Sequence, residues 1–76
     1  MKVISRGELQ IEVEGRVATV SGEALFPKKD GPVFVVFCTL PMQWEDGEDV
    51  TDTERAQIIE AIHREAEEQG VNLLFD

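Results

Sequence analysis

Leu9-Gln10-Ile11-Glu12-Val13 alternates apolar and polar residues, Glu14-Gly15 follows, and Arg16-Val17-Ala18-Thr19-Val20 alternates again. Alternation is the signature of a half-buried strand. A two-residue connection with glycine at a positive φ is a tight hairpin turn. The turn fixes the register, pairing Val13 with Arg16, Ile11 with Ala18 and Leu9 with Val20. Directly opposed residues share a face, so Leu9, Ile11, Ala18 and Val20 form one apolar face. By the same alternation that face continues through Gly22, Ala24 and Phe26. Gln10, Glu12, Val17, Thr19 and Ser21 take the other, mostly polar face. Turn and pattern agree on this register.

The rest of the chain must complete a core around this hairpin. At 76 residues it is one domain, and a core of that size supplies only ~3–5 kcal/mol of net stability. A 42% hydrophobic content with periodic segments separates it from disordered chains. Lys2–Ser5 is a short strand ended by Gly7. Residues 27–32 form a loop, with Asp30-Gly31 between Pro27 and Pro32 and Lys28 and Lys29 as solubilising charges. Val33–Cys38 is an unbroken apolar run, which predicts a strand buried on both sides or central in a sheet. Pro41 ends it, and residues 41–52 form a loop. Thr51-Asp52-Thr53-Glu54 fits a capping box, opening a helix to about Gln69 that Gly70 terminates. Ile58, Ile59, Ile62 and Ala66 make its apolar face. Val71–Phe75 is a final strand. The sum is an α+β domain: a small, mostly antiparallel sheet of four to five strands with one amphipathic helix packed on one face. The last strand lies either antiparallel to its neighbour or, through a helical crossover, parallel to it.

Charge divides the chain. Residues 1–44 carry five acids and five bases, while residues 45–76 carry eleven acids against Arg55 and Arg64, the whole of the net −9. Six acids fall between Glu45 and Glu54 with no base among them, directly after Trp44, the sole tryptophan. Such a patch attracts cationic partners and repels nucleic acid and anionic membrane. Helix-dipole stabilisation accounts for Asp52 and Glu54, but not for Glu45, Asp46 and Glu48. An aromatic with a charged rim is also the anatomy of a binding surface. The expected contact set is therefore Trp44, Glu45, Asp46, Glu48, Asp49 and Asp52, with Trp44 also closing the edge of the core.

Catalytic and cofactor chemistry finds no constellation in the sequence. Cys38 and His63 are the only cysteine and histidine. Nucleophilic catalysis needs a nucleophile beside an oriented base, and their predicted positions do not converge. Cys38 reads as a small core residue and His63 as a boundary residue. Two such ligands cannot make a zinc site, and no glycine-rich phosphate loop occurs. Glu45-Asp46-Gly47-Glu48-Asp49 lacks calcium-loop spacing. No catalytic residue, metal or cofactor is expected. One cysteine excludes an internal disulfide and fits a reducing cytosol. No apolar run is long enough for a membrane span, so a cytoplasmic protein is expected.

The succession Gly22-Glu23-Ala24-Leu25, then Gly31 leading into Phe34-Val35-Val36-Phe37, then Trp44-Glu45-Asp46-Gly47-Glu48, then Thr53-Glu54-Arg55 with Ile58 and Ile59, resembles the immunity protein 74 family of bacterial polymorphic toxin systems. The resemblance runs from Val3 to Leu74, and Pro41-Met42 departs from it. It implies a small α+β cytoplasmic protein that binds and neutralises a cognate toxin, plausibly a cationic nuclease. It carries no assigned functional residues. The expectation is a non-enzymatic toxin inhibitor, monomer or homodimer, acting through its acidic surface. A different reading of the same residues is a small homo-oligomeric accessory or regulatory subunit that uses a sheet face as interface.

Overall fold

The structure is a computed structural model that describes residues 1–26, 29 and 31–76. Its elements are β1 (Lys2–Ser5), β2 (Glu8–Val13), β3 (Arg16–Ala24), β4 (Phe34–Val36), β5 (Gln43–Trp44), α1 (Asp52–Gln69) and β6 (Leu73–Phe75). The six strands form one sheet in the order β1-β2-β3-β4-β6, and β5 pairs separately with β3. All pairings are antiparallel except β4 with β6, which is parallel. The helix therefore lies in a crossover between two parallel strands, the second of the two expected arrangements.

The hairpin forms in the expected register, Val13 opposite Arg16, Ile11 opposite Ala18 and Leu9 opposite Val20. Glu14 and Gly15 both take positive φ, 51° and 81°, which matches the turn to the twist of the strands. Leu9, Ile11, Ala18, Val20 and Gly22 are buried. The apolar face stops there: Ala24 is exposed and Phe26 is 97% exposed. β3 outruns the area that the helix covers. Gly22 is required by a close approach, since a Cβ there would stand 2.2 Å from both the Phe34 ring and the Val35 carbonyl oxygen.

β4 sits centrally, between β3 and β6, but only Phe34 and Val36 are fully buried; Val33, Val35, Phe37 and Cys38 are half-buried. The unbroken apolar run thus makes a three-residue strand with one covered face, because the single helix shields only one side of the sheet. Of the expected loop over residues 27–32, Pro27, Lys28 and Asp30 lie outside the described residues.

Thr51 caps α1 with both halves of the capping box in place, and Gly70 closes it in the left-handed region at φ 67°. The helix buries Ile58, Ala61, Ile62 and Ala66. Ala61 takes the place expected for Ile59, which is only half-buried. Ile58, Ala61 and Ile62 meet Leu9, Ile11, Ala18, Val20, Phe34, Val36, Met42 and Trp44 in one core. Arg55 ties the helix to the chain leaving β4, donating from Nη1 to the Cys38 and Leu40 carbonyls at 2.9 and 3.3 Å.

Candidate functional site

The segment expected to be a plain loop over residues 41–52 contains a strand. Gln43 and Trp44 pair with Thr19 and Ala18 of β3, and the Glu45 N–H donates to the Val17 carbonyl at 2.8 Å. The chain then reverses. Gly47, at φ 91°, donates to the Trp44 carbonyl at 2.9 Å, and the Trp44 N–H donates to the Glu48 carbonyl at 3.0 Å. The Asp46 carboxylate accepts from the Glu48 N–H at 2.9 Å, the local turn that aspartate favours. Glycine supplies the left-handed conformation that closes a short hairpin of this kind. The acids are thus mounted on a backbone-bonded turn at the sheet rather than on a free loop.

Arg16 is the residue that organises this turn, and sequence reasoning gave it no role. Side chains two apart on a strand share a face, so Arg16 lies on the face of Ala18. Trp44 lies opposite Ala18 and shares that face too. The Arg16 guanidinium consequently sits over the Trp44 ring, 4.1 Å from its centroid. Its nitrogens reach Glu48 at 3.2 Å, Glu54 at 3.3 Å and Asp46 at 3.6 Å. Trp44 Nε1 donates to Glu54 Oε1 at 3.3 Å, and the same oxygen accepts the Thr51 N–H at 2.9 Å. The hydrogen bonds from Thr51 and Trp44 hold the Glu54 carboxyl below the usual glutamate range, with the Arg16 charge adding to them. One carboxylate therefore joins the helix cap, the tryptophan and the arginine.

The expected contact residues divide into two kinds. Trp44 is only 5% exposed and belongs to the core. Glu45, Asp46, Glu48, Asp49 and Asp52 are all exposed. Arg16 partly neutralises Asp46 and Glu48, whereas Glu45, Asp49 and Asp52 have no ion-pair partner among the described residues. Gly15, Arg16, Val17, Trp44, Glu45 and Asp46 line a shallow surface groove of about 300 Å³. The missed signal for Arg16 was its position one pleat before Ala18, which becomes informative only once Trp44 is known to pair there.

Cys38 and His63 are on different elements. Cys38 follows β4, half-buried; burial and the Asp76 carboxylate push its thiol up, against the Arg55 guanidinium. That direction leaves less thiolate at neutral pH, the opposite of an activated nucleophile. His63, exposed on α1, stacks on Phe75 with centroids 3.7 Å apart and planes 18° from parallel. Among the described residues, no three His, Cys, Asp or Glu side chains are grouped to hold a metal ion. Among the described residues, no helix is long and apolar enough to cross a membrane.

The model of the immunity protein 74 family matches residues 3–76. This chain belongs to the immunity protein 74 family. Comparison with curated proteins and with solved structures found no match. Within this immunity protein 74 chain, the residues that carried the resemblance fall at the structural joints. Gly22 lets Phe34 in, Trp44–Glu48 forms the acidic turn, and Glu54 bonds both Trp44 and the helix cap.

Proposed function

We propose that this chain is a non-catalytic inhibitor that binds and neutralises a cognate bacterial toxin, and that the acidic turn is its contact surface. Membership of the immunity protein 74 family over essentially the whole chain carries the reading. The geometry supports it by presenting Glu45, Asp49 and Asp52 outward without an ion-pair partner among the described residues. Held on a bonded turn, these charges lose little freedom on binding, which lowers the cost of association. Their sign fits a cationic target, such as a nuclease whose own substrate is polyanionic, and opposes direct binding of nucleic acid or anionic lipid. Trp44 acts from beneath, as the buried support that fixes the turn. A protein acting this way works in the compartment where the toxin is made, the cytoplasm.

The test is kinetic. Rim charges act mainly on the association rate and on its salt dependence. The triple variant Glu45→Gln, Asp49→Asn, Asp52→Asn should bind the cognate toxin roughly tenfold more slowly at low salt. Its rate should also depend less on salt than that of the wild type. Equal association rates at both salt concentrations would reduce the turn to a solvated surface.

A further inference from the structure

At the acidic turn, Arg16 works against the charge that the turn presents. It is a cation among acids, and its guanidinium offsets Asp46 at 3.6 Å and Glu48 at 3.2 Å. A surface that only had to attract a cationic partner would be stronger without it. What the arginine supplies instead is a link. The three acids without an ion-pair partner among the described residues stand on two separate segments: Glu45 and Asp49 on the turn after β5, and Asp52 at the start of α1. Arg16 comes from a third segment, β3, and reaches both of them. Its Nη2 holds Asp46, next to Glu45, and Glu48, next to Asp49; its Nη1 holds Glu54, in the same helical turn as Asp52.

We propose that Arg16 is a positioning residue for toxin binding: it fixes the spacing of Glu45, Asp49 and Asp52, and so lengthens the life of the complex while slowing its formation. This rests on the reading of the acidic turn as the toxin contact. A lone exposed ion pair would order little. Arg16 is not alone, because its guanidinium sits over the Trp44 ring, 4.1 Å from the centroid, and Glu54 is itself pinned by the Thr51 N–H and by Trp44 Nε1. A planar fork can lie over an aromatic face and still meet carboxylates on two sides, which the compact ammonium of lysine cannot do. A contact surface already held in place costs less to order on binding, and that gain appears mainly in the dissociation rate. Unpaired charge at the rim acts on the association rate. The two effects of Arg16 therefore fall on different rate constants and have opposite signs for affinity.

Two variants separate these effects. Arg16→Gln makes the chain one unit more negative than its net −9, so it should associate with the cognate toxin about twofold faster at low salt. It should also dissociate roughly fivefold faster or more, so that binding weakens although the attracting charge has grown. Arg16→Lys keeps the charge and loses the fork. It should associate at the wild-type rate and dissociate nearly as fast as the glutamine variant.

Amide hydrogen exchange on the free chain is the second measurement and needs no toxin. The turn is closed by the Gly47 N–H on the Trp44 carbonyl at 2.9 Å and by the Trp44 N–H on the Glu48 carbonyl at 3.0 Å. Both amides should exchange roughly fivefold faster or more in Arg16→Gln, with the amides of β2 and of the middle of α1 unchanged. A dissociation rate that is unchanged in Arg16→Gln, or that Arg16→Lys restores to the wild-type value, overturns the proposal. So does unchanged exchange at Gly47 and Trp44. Faster exchange spread through β2 and α1 overturns it as well, since Arg16 would then stabilise the whole fold rather than position the turn. A wild-type chain that binds no toxin overturns the functional reading and the binding role with it, even where exchange shows that Arg16 holds the turn.

Discussion

Glu54 accepts from Thr51 and Trp44 and pairs with Arg16, so three kinds of structure meet at one carboxylate. Trp44, Arg16 and Glu54 are best understood together: indole in the core, guanidinium over its face, carboxylate at its edge. A stacked cation contributes about 0.5–1 kcal/mol at a partly exposed site, and the indole N–H adds a hydrogen bond to the Glu54 carboxylate. Trp44→Phe should therefore lose about 1–3 kcal/mol of stability in chemical denaturation. Its folded fraction should still associate with toxin at the wild-type rate. A normal melt with several-fold weaker binding would make Trp44 a direct contact instead. Cys38 lies in the turn after β4 and His63 on α1, and the thiol is pushed away from reactivity. The double variant Cys38→Ser, His63→Gln should protect cells from the toxin as well as the wild type does. Lost protection by a variant with a native circular dichroism spectrum would refute the non-catalytic reading.

At the level of elements, two junctions hold the fold. The first is Gly22, where β3 passes under Phe34 and leaves no room for a methyl group. One of the three atoms in the way is a backbone oxygen of β4, which cannot step aside without breaking the β3–β4 pairing. Gly22→Ala should cost about 1–3 kcal/mol or more, read as a lower denaturation midpoint. An unchanged midpoint would mean that β4 shifts freely. The second junction is the start of α1, where the depressed Glu54 carboxyl gives a pH signature. A group with a lowered folded pKa contributes stability that is present above its unfolded value and lost as pH falls through the folded one. Glu54→Gln should therefore melt below the wild type at neutral pH. The gap should narrow as pH falls through roughly 4 and close below it. A gap that is constant from neutral to acid pH would remove Glu54 as the titrating link.

For the molecule as a whole, the acidic turn lies between β5 and the start of α1. Association of the proposed acidic contact with a cationic toxin is expected to weaken as salt rises. The reduced association rate expected of the Glu45, Asp49, Asp52 amide variant therefore belongs to the whole charge distribution, since Arg16 already offsets Asp46 and Glu48.

Local chemistry decided the parts of this protein that a short stretch of sequence can encode. Glu14-Gly15 and its flanking alternation set the register of β2 and β3, and Thr51, Glu54 and Gly70 set both ends of α1. In each case all the interacting residues lie within a few positions of one another. The acidity after Trp44 was equally visible, because charge needs no fold to be counted. What needed the tertiary structure was every pairing across a long separation. Gln43-Trp44 is too short to announce itself as a strand, and only the open flank of β3 makes it one. Val33–Cys38 reads as buried on both sides or central in a sheet because its residues are apolar; β4 is central, but the helix covers only one of its faces. Ala61 is fully buried where Ile59 only packs against the edge of the core, because which helix positions face the sheet, not hydrophobicity alone, decides burial. Arg16, separated by 38 residues from Glu54, acquired its place over Trp44 only when the sheet and the helix start came together there. Sequence supplied the turn, the caps and the charge, and packing of distant segments decided which acids are tied down and which face outward.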